Sequence, residues 1–152
     1  MWNELYDHVC DVGRSNNLSL LISTEQKIVK NDLFRYTNSK SMAGSLRTAL
    51  AEIDVIKDHV MIVSDPKQYD IINRGHNLPK LRKSGLPYDG ARRAMASHYT
   101  RLGNLDKGRL TDIEKSILDM RMNNMKVMRK LYEKMQAKAI GIDLSRDKSH
   151  SL

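Results

Sequence analysis

The sequence predicts a mainly α-helical protein, a single-domain bundle of about five or six helices that ends in a helical hairpin with one long C-terminal helix. Two observations favour this class. Apolar residues recur at helical spacing in several separate segments, and capping residues or prolines stand at the starts of these segments, with glycines at their ends. The length of 152 residues suits one domain with a substantial core. We expect residues 1–140 to form that domain and residues 141–152 to form a polar, flexible tail.

The first predicted element is a helix over residues 3–12, which carries Leu5, Val9 and Val12 on one face and stops at Gly13. Its opposite face holds the polar residues Glu4, Asp7, His8 and Asp11. This spacing is compatible with a metal site, but it equally describes a solvated helix face, and we predict no metal.

The next segment carries conflicting signals. A small β-hairpin near residues 18–30 is one interpretation, because two short apolar runs lie there with a polar connection between them. In the other interpretation, Ser23 and Gln26 have the spacing of a capping box and open a helix that includes Phe34 among its apolar residues. We favour the helix, and we expect a loop over residues 38–41.

A clearer helix begins at Ser45, because its apolar residues keep helical spacing without a break as far as Val60. Asp65 and Pro66 then suit the start of a shorter helix, in which proline takes the first helical position and Gly75 marks the exit. Each of these helices contributes apolar residues to the predicted core.

Residues 76–87 contain two prolines and predict an irregular surface connection. Asp89 can cap the helix that follows, which ends at Gly103 and Asn104. On its apolar face, His98 is expected to be a core-edge histidine and not a metal ligand, because no second His or Cys lies at metal-binding spacing.

The long C-terminal helix is predicted from Thr111 to about Lys138. Thr111 and Glu114 form a capping box, and acidic residues crowd the start while basic residues crowd the end, as the helix macrodipole favours. The apolar sector is wider than one core requires, so we expect packing on two sides, either within this chain or with a second copy. Asn124 then lies at the edge of an intramolecular core, the interpretation we favour, or at a coiled-coil position that sets the register of a dimer. The residues proposed for a partner interface are Met120, Met122, Asn124, Met125, Met128 and Tyr132.

The net charge of +8 is unevenly distributed along the chain. Residues 1–73 sum to −2, residues 74–109 to +7 and residues 110–152 to +3. Lysines and arginines can contact phosphates and tyrosines can stack on bases, so the central stretch predicts a surface that binds DNA or RNA. The alternative is that these are solvated charges on a loop and a helix rim. The candidate binding residues are Lys80, Arg82, Lys83, Tyr88, Arg92, Arg93, Tyr99, Arg101, Lys107 and Arg109.

Several classes of function lack any sequence signal. The chain contains no catalytic or phosphate-binding motif, so we predict a non-enzymatic binding protein without a cofactor. One cysteine excludes an intrachain disulfide, and the absence of a long apolar run or an export signal favours a cytoplasmic protein with no membrane partner. The alternative function is a protein-interaction or inhibitor module, of the kind that phages and plasmids encode as accessory factors. Such a module would dock on an acidic partner or form a homodimer through residues 111–138.

Overall fold

The computed structural model describes residues 2–64 and 90–139, which form five α-helices and one short 3-10 helix. The α-helices are α1 (Trp2–Arg14), α2 (Leu18–Arg35), α3 (Lys40–Ser64), α4 (Gly90–Gly103) and α5 (Asp112–Ala139). The 3-10 helix, Lys107–Arg109, lies in the connection between α4 and α5. The prediction of a mainly α-helical bundle is confirmed, since these residues contain no strand.

The β-hairpin interpretation of residues 18–30 is wrong, because α2 runs without interruption through them. The helix also begins five residues before the predicted capping box at Ser23. Its N-cap is Asn17, whose side-chain oxygen accepts a hydrogen bond from the backbone N–H of Leu20 at 3.0 Å. A short polar side chain at this position satisfies an amide that the helix itself leaves without a partner, so it fixes the start of α2.

Other boundaries differ from the predictions by a few residues. Helix α1 continues through Gly13 to Arg14, and α3 starts at Lys40 instead of Ser45, so the connection between α2 and α3 covers residues 36–39 instead of the predicted 38–41. Helix α3 ends at Ser64. The predicted helix at 65–75, the connection at 76–87, the Asp89 cap and the tail at 141–152 lie outside the described residues.

Helix α5 is the central element of the bundle, because it contacts all four of the other α-helices. The predicted hairpin of α4 and α5 is antiparallel. Arg92 at the start of α4 faces Glu133 near the end of α5, and Tyr99 further along α4 lies beneath Lys126, which precedes Glu133. Helix α3 lies along the other flank of α4, where Glu52 meets Arg101.

The core lies between these helices and explains the wide apolar sector of α5. Its fully buried side chains include Val12, Leu21, Ile56, Met95, Met128 and Tyr132. Burying side chains of this size stabilises the fold by roughly 1.5–3 kcal/mol each. Helices of the same chain therefore cover the wide apolar sector of α5.

The residues proposed for a partner interface lie mostly in this core. Asn124, Met125, Met128 and Tyr132 are buried, and Met120 and Met122 are half-buried. A partner could reach the four buried side chains only if the bundle opened. Within residues 2–64 and 90–139, no helix combines the length and the apolar content needed to cross a membrane.

Candidate nucleic-acid interface

Only some of the predicted nucleic-acid-binding residues lie within the described part of the chain. Those within the described residues are Arg92, Arg93, Tyr99, Arg101, Lys107 and Arg109. Those outside them are Lys80, Arg82, Lys83 and Tyr88.

Arg101 and Arg92 lie on opposite flanks of α4, and each is close to a carboxylate. Arg101 faces α3, where its Nε lies 3.1 Å from Oε1 of Glu52 and its Nη1 donates to the hydroxyl of Ser45 at 3.3 Å. Arg92 faces α5, and its Nε lies 3.6 Å from Oε1 of Glu133. These two arginines therefore do not share a surface, and their charges are offset by carboxylates from neighbouring helices.

Lys107 and Arg109 lie in the loop at the end of the α4–α5 hairpin. Arg109 pairs with Asp106 at 3.5 Å, with both side chains largely exposed, and Asp106 also accepts the backbone N–H of Gly108. An ion pair this exposed contributes at most about 1 kcal/mol to stability. The pair shapes the loop and leaves Lys107 exposed.

A groove runs between α4 and α5 and contains Tyr99. Its volume is about 260 Å³. Met95 and Met125 contribute its apolar lining, and Lys126 places its ammonium group 5.7 Å from the centre of the Tyr99 ring. Arg129 also lines the groove, so an aromatic ring and two cations lie together on this side of the hairpin.

The exposed surface of the second half of α5, beside this groove, is strongly basic. Its exposed cations, which we call the α5 stripe, are Lys126, Arg129, Lys130, Lys134 and Lys138. Between residues 126 and 138 the one carboxylate is Glu133, which pairs with Arg129 at 2.9 Å and lies near Arg92. These cations lie outside the predicted binding set, because their position near the end of the helix matched the basic end that the helix macrodipole favours. Their helical spacing along one face was the signal for a surface.

Helix α4 is held in place by a buried charged network. The carboxylate of Glu25 in α2 accepts two hydrogen bonds from Arg121 in α5, at 2.9 and 2.6 Å, and lies 2.6 Å from Nε2 of His98 in α4. Burial alone would raise the pKa of Glu25, but the Arg121 guanidinium and then the His98 ring outweigh it and hold this pKa at about 2. The ionised carboxylate thus joins three helices.

A second set of contacts joins α4 to α3 at Glu52, whose Oε1 accepts from Nε of Arg101 and whose Oε2 accepts from the hydroxyl of Ser97. Nδ1 of His98 lies 3.9 Å from Oε1 of Glu52, too far for a hydrogen bond. The side chain of His98 is 1 % exposed, so it lies deeper than the predicted core edge. Because the surrounding helices exclude solvent from His98, this network suits the positioning of α4 better than chemistry on a substrate.

The buried network, unlike the predicted basic residues, could not be predicted from a local sequence pattern. Glu25 and Arg121 are 96 residues apart, and no local pattern connects them.

Among the described residues no group of three or more His, Cys, Asp or Glu side chains could hold a metal ion, and the polar face of α1 is exposed. Comparison of the chain with protein-family models, curated proteins and solved structures gives no match.

Proposed function

We propose that this protein binds nucleic acid through the α5 stripe, by contacts with the phosphate backbone. The observation that carries the proposal is the presence of five exposed cations on α5 between residues 126 and 138, four of them at successive i, i+4 positions, with Glu133 as the one carboxylate among them. A surface of this composition attracts a polyanion because binding releases the counterions condensed on the phosphates. The proposal keeps the predicted ligand and moves the main contact surface from residues 74–109 to α5.

The dimensions of the stripe suit a phosphate backbone. Residues 126–138 span about 18 Å of helix at about 1.5 Å per residue. Each strand of a duplex carries one phosphate per about 3.4 Å of the helix axis, so about five phosphates of one strand fall within the same axial length. The five cations and Glu133 give a net charge of +4 along that length, roughly one positive charge per phosphate.

Tyr99 adds a contact of a different kind. Its ring is half-buried in the groove beside the stripe, and Lys126 lies over it. A ring in such a groove can pack against a sugar or an unpaired base while neighbouring cations hold the phosphates. These contacts read no base edges, so we expect binding with little sequence preference.

The test is a fluorescence anisotropy titration of a labelled DNA duplex and a labelled single strand, repeated between about 50 and 200 mM salt. The stripe variant carries Lys126→Gln, Lys130→Gln and Lys134→Gln. A matched control removes equal charge at exposed positions outside the stripe and the predicted binding set, through Arg14→Gln, Lys57→Gln and Lys115→Gln. Thermal unfolding monitored by circular dichroism establishes that both variants are folded.

We expect the wild-type affinity to fall steeply with salt. The stripe variant should bind about tenfold more weakly or worse, with a log–log salt slope reduced by about 0.9 for each lost duplex phosphate contact. The control should stay close to wild type. Absence of binding at the lowest salt concentration, or an equal loss in the control, would overturn the proposal.

A further inference from the structure

A second basic surface lies on the outer side of α2 and α3. Between residues 18 and 51 all five lysines and arginines are exposed, and neither of the two carboxylates is. Glu25 is buried in the charged network, and Asp32 is half-buried. The exposed cations, which we call the α2–α3 face, are Lys27, Lys30, Arg35, Lys40 and Arg47. The net charge of −2 for residues 1–73 hides this surface, because the sum also counts the two unexposed carboxylates, those of α1 and those of α3 beyond residue 51.

The register between α2 and α3 brings these cations together. Gln26 donates a hydrogen bond to Asp54 at 3.2 Å, which aligns the two helices at that point. The helices are antiparallel neighbours. Seven residues after Gln26 in α2 is residue 33, and seven residues before Asp54 in α3 is Arg47, so these two positions lie opposite each other. Lys30 and Phe34 are one helical turn apart on the outward side of α2, next to this position.

Phe34 lies within this basic surface with 85 % of its area exposed. It is the single phenylalanine of the chain, and we had predicted it among the apolar residues of its helix. An exposed aromatic ring beside several cations is typical of surfaces that contact nucleic-acid strands by stacking and by charge. Asp54, which binds Gln26, is an exposed carboxylate at the edge of this surface, two helical turns from Arg47. The α2–α3 face therefore complements the same class of ligand as the α5 stripe.

The two basic surfaces point in opposite directions. Glu25 and Arg121 join the inner sides of α2 and α5 through their ion pair. Phe34 follows Glu25 by nine residues, and Lys130 follows Arg121 by nine residues. Nine residues correspond to about two and a half helical turns, so each of these residues lies on the side of its helix opposite the ion pair.

From this arrangement we infer that one molecule bridges two segments of nucleic acid, one on the α5 stripe and one on the α2–α3 face. This inference rests on the proposed function and adds that the protein is bivalent as a monomer. The bundle holds the two surfaces apart, so a single straight segment cannot occupy both at once. The consequence is that the protein should connect separate DNA molecules without forming a dimer.

The test is a bridging assay with purified full-length protein. A biotinylated duplex is fixed on streptavidin beads, and the measured quantity is the capture of a second, fluorescent duplex that lacks biotin. The α2–α3 variant carries Lys27→Gln, Lys30→Gln and Arg47→Gln. It is compared with the stripe variant and the matched control defined above, each of which also loses three positive charges. Light scattering establishes the oligomeric state of each protein.

We expect the wild type and the matched control to capture the second duplex as monomers. The stripe variant and the α2–α3 variant should each still bind a duplex in the anisotropy titration, while their capture of the second duplex falls about tenfold or more. If either the stripe variant or the α2–α3 variant captured as much of the second duplex as the wild type does, the inference would be overturned, because bridging would then come from a dimer or from net charge alone. If the wild type binds a duplex but captures no second one, the bridging inference fails and the proposed function stands. If the wild type binds no duplex at all, both fail.

Discussion

The carboxylate of Glu25 and the guanidinium of Arg121 form a two-bond ion pair in the interior of the bundle, with Nε–Oε1 at 2.9 Å and Nη2–Oε2 at 2.6 Å. Both side chains are 10 % exposed or less. The pair connects α2 to α5, and His98 extends the connection to α4 by donating from Nε2 to the same carboxylate. The relative positions of the two basic surfaces therefore depend on this contact.

Removing the charge of Glu25 should destabilise the protein strongly. Glu25→Gln leaves the guanidinium of Arg121 buried without the carboxylate that it hydrogen-bonds, and we expect a loss of about 3–5 kcal/mol in the free energy of unfolding. Urea denaturation followed by circular dichroism measures it. Asp11→Asn is the control, because it breaks the exposed pair with Arg14 and should cost less than about 1 kcal/mol. Similar costs for the two variants would mean that the buried pair contributes no more than an exposed one.

The same pair predicts a loss of stability in acid. The pKa of Glu25 is about 2 in the folded protein and near the ordinary 4.5 in the unfolded chain, so the unfolded chain takes up the proton first. The contribution of Glu25 to stability is complete above about pH 4.5 and is lost as the pH falls towards 2. Urea midpoints measured from neutral pH downwards should fall in this window for the wild type and less for Glu25→Gln.

Asp32 should have the opposite effect to Glu25 on the pH dependence of stability, and it therefore provides a check on that experiment. Burial raises the pKa of Asp32, although Arg121 and Arg35 oppose the change. A carboxyl group with a raised pKa favours the folded state at low pH, and this contribution disappears as the pH rises. Asp32→Asn should therefore steepen the acid-induced loss of stability. A variant whose urea midpoints follow the same pH profile as the wild type would contradict this assignment.

The capping box at the start of α5 should contribute measurably to stability. The backbone N–H of Thr111 donates to Glu114 at 3.1 Å, the backbone N–H of Glu114 donates to the Thr111 hydroxyl at 3.3 Å, and the bonds from Thr111 lower the pKa of Glu114. Thr111→Ala should cost about 1 kcal/mol in the free energy of unfolding. Thr48→Ala is the control, because Thr48 lies exposed within α3 and caps no helix. Thermal unfolding in which both variants match the wild type would rule out a contribution from the cap.

Local patterns sufficed to predict α3, α4 and α5, because the positions of their apolar residues and caps are properties of short segments. The error at α2 has a physical cause. Glu25 lies on the core side of α2, where its charge is compensated by Arg121, a residue 96 positions away. The predicted capping box of Ser23 and Gln26 took this turn of α2 for the start of a helix that included Phe34 among its apolar residues, and the structure leaves Phe34 exposed.

The sequence predicted that the candidate site would be basic, but it did not predict which residues form the basic surface. Charge summed along residues 74–109 gave a basic stretch, yet Arg101 is offset by Glu52, which lies 49 residues away in α3. The basic surface of residues 18–51 was hidden for the converse reason, since its two carboxylates are not exposed. A net charge along the chain does not distinguish exposed groups from buried ones, and the fold decides between them. In the same way, the wide apolar sector of α5 predicted contacts on two sides but could not show that this chain supplies them.

Gly13 and Asn124 form a close contact between α1 and α5 that the sequence did not reveal. Nδ2 of Asn124 donates to the backbone oxygen of Val9 at 3.1 Å, while its Oδ1 lies where a side chain on Gly13 would begin. The contact therefore favours glycine at this position, even though glycine lowers helix stability by about 1 kcal/mol relative to alanine. A side chain on Gly13 would have to displace the buried amide, which holds a hydrogen bond.

We expect Gly13→Ala to destabilise the protein by about 1–3 kcal/mol, because the added methyl group displaces the amide of Asn124. Gly44→Ala is the matched control: nothing lies within 4 Å of the added methyl group in α3, so the gain in helix propensity should leave stability unchanged or raise it. The double variant Gly13→Ala with Asn124→Ala should be more stable than the sum of the two single changes predicts, since the smaller side chain removes the overlap. Urea denaturation of all four variants completes the cycle, and additive single changes would show that the two residues do not restrict each other.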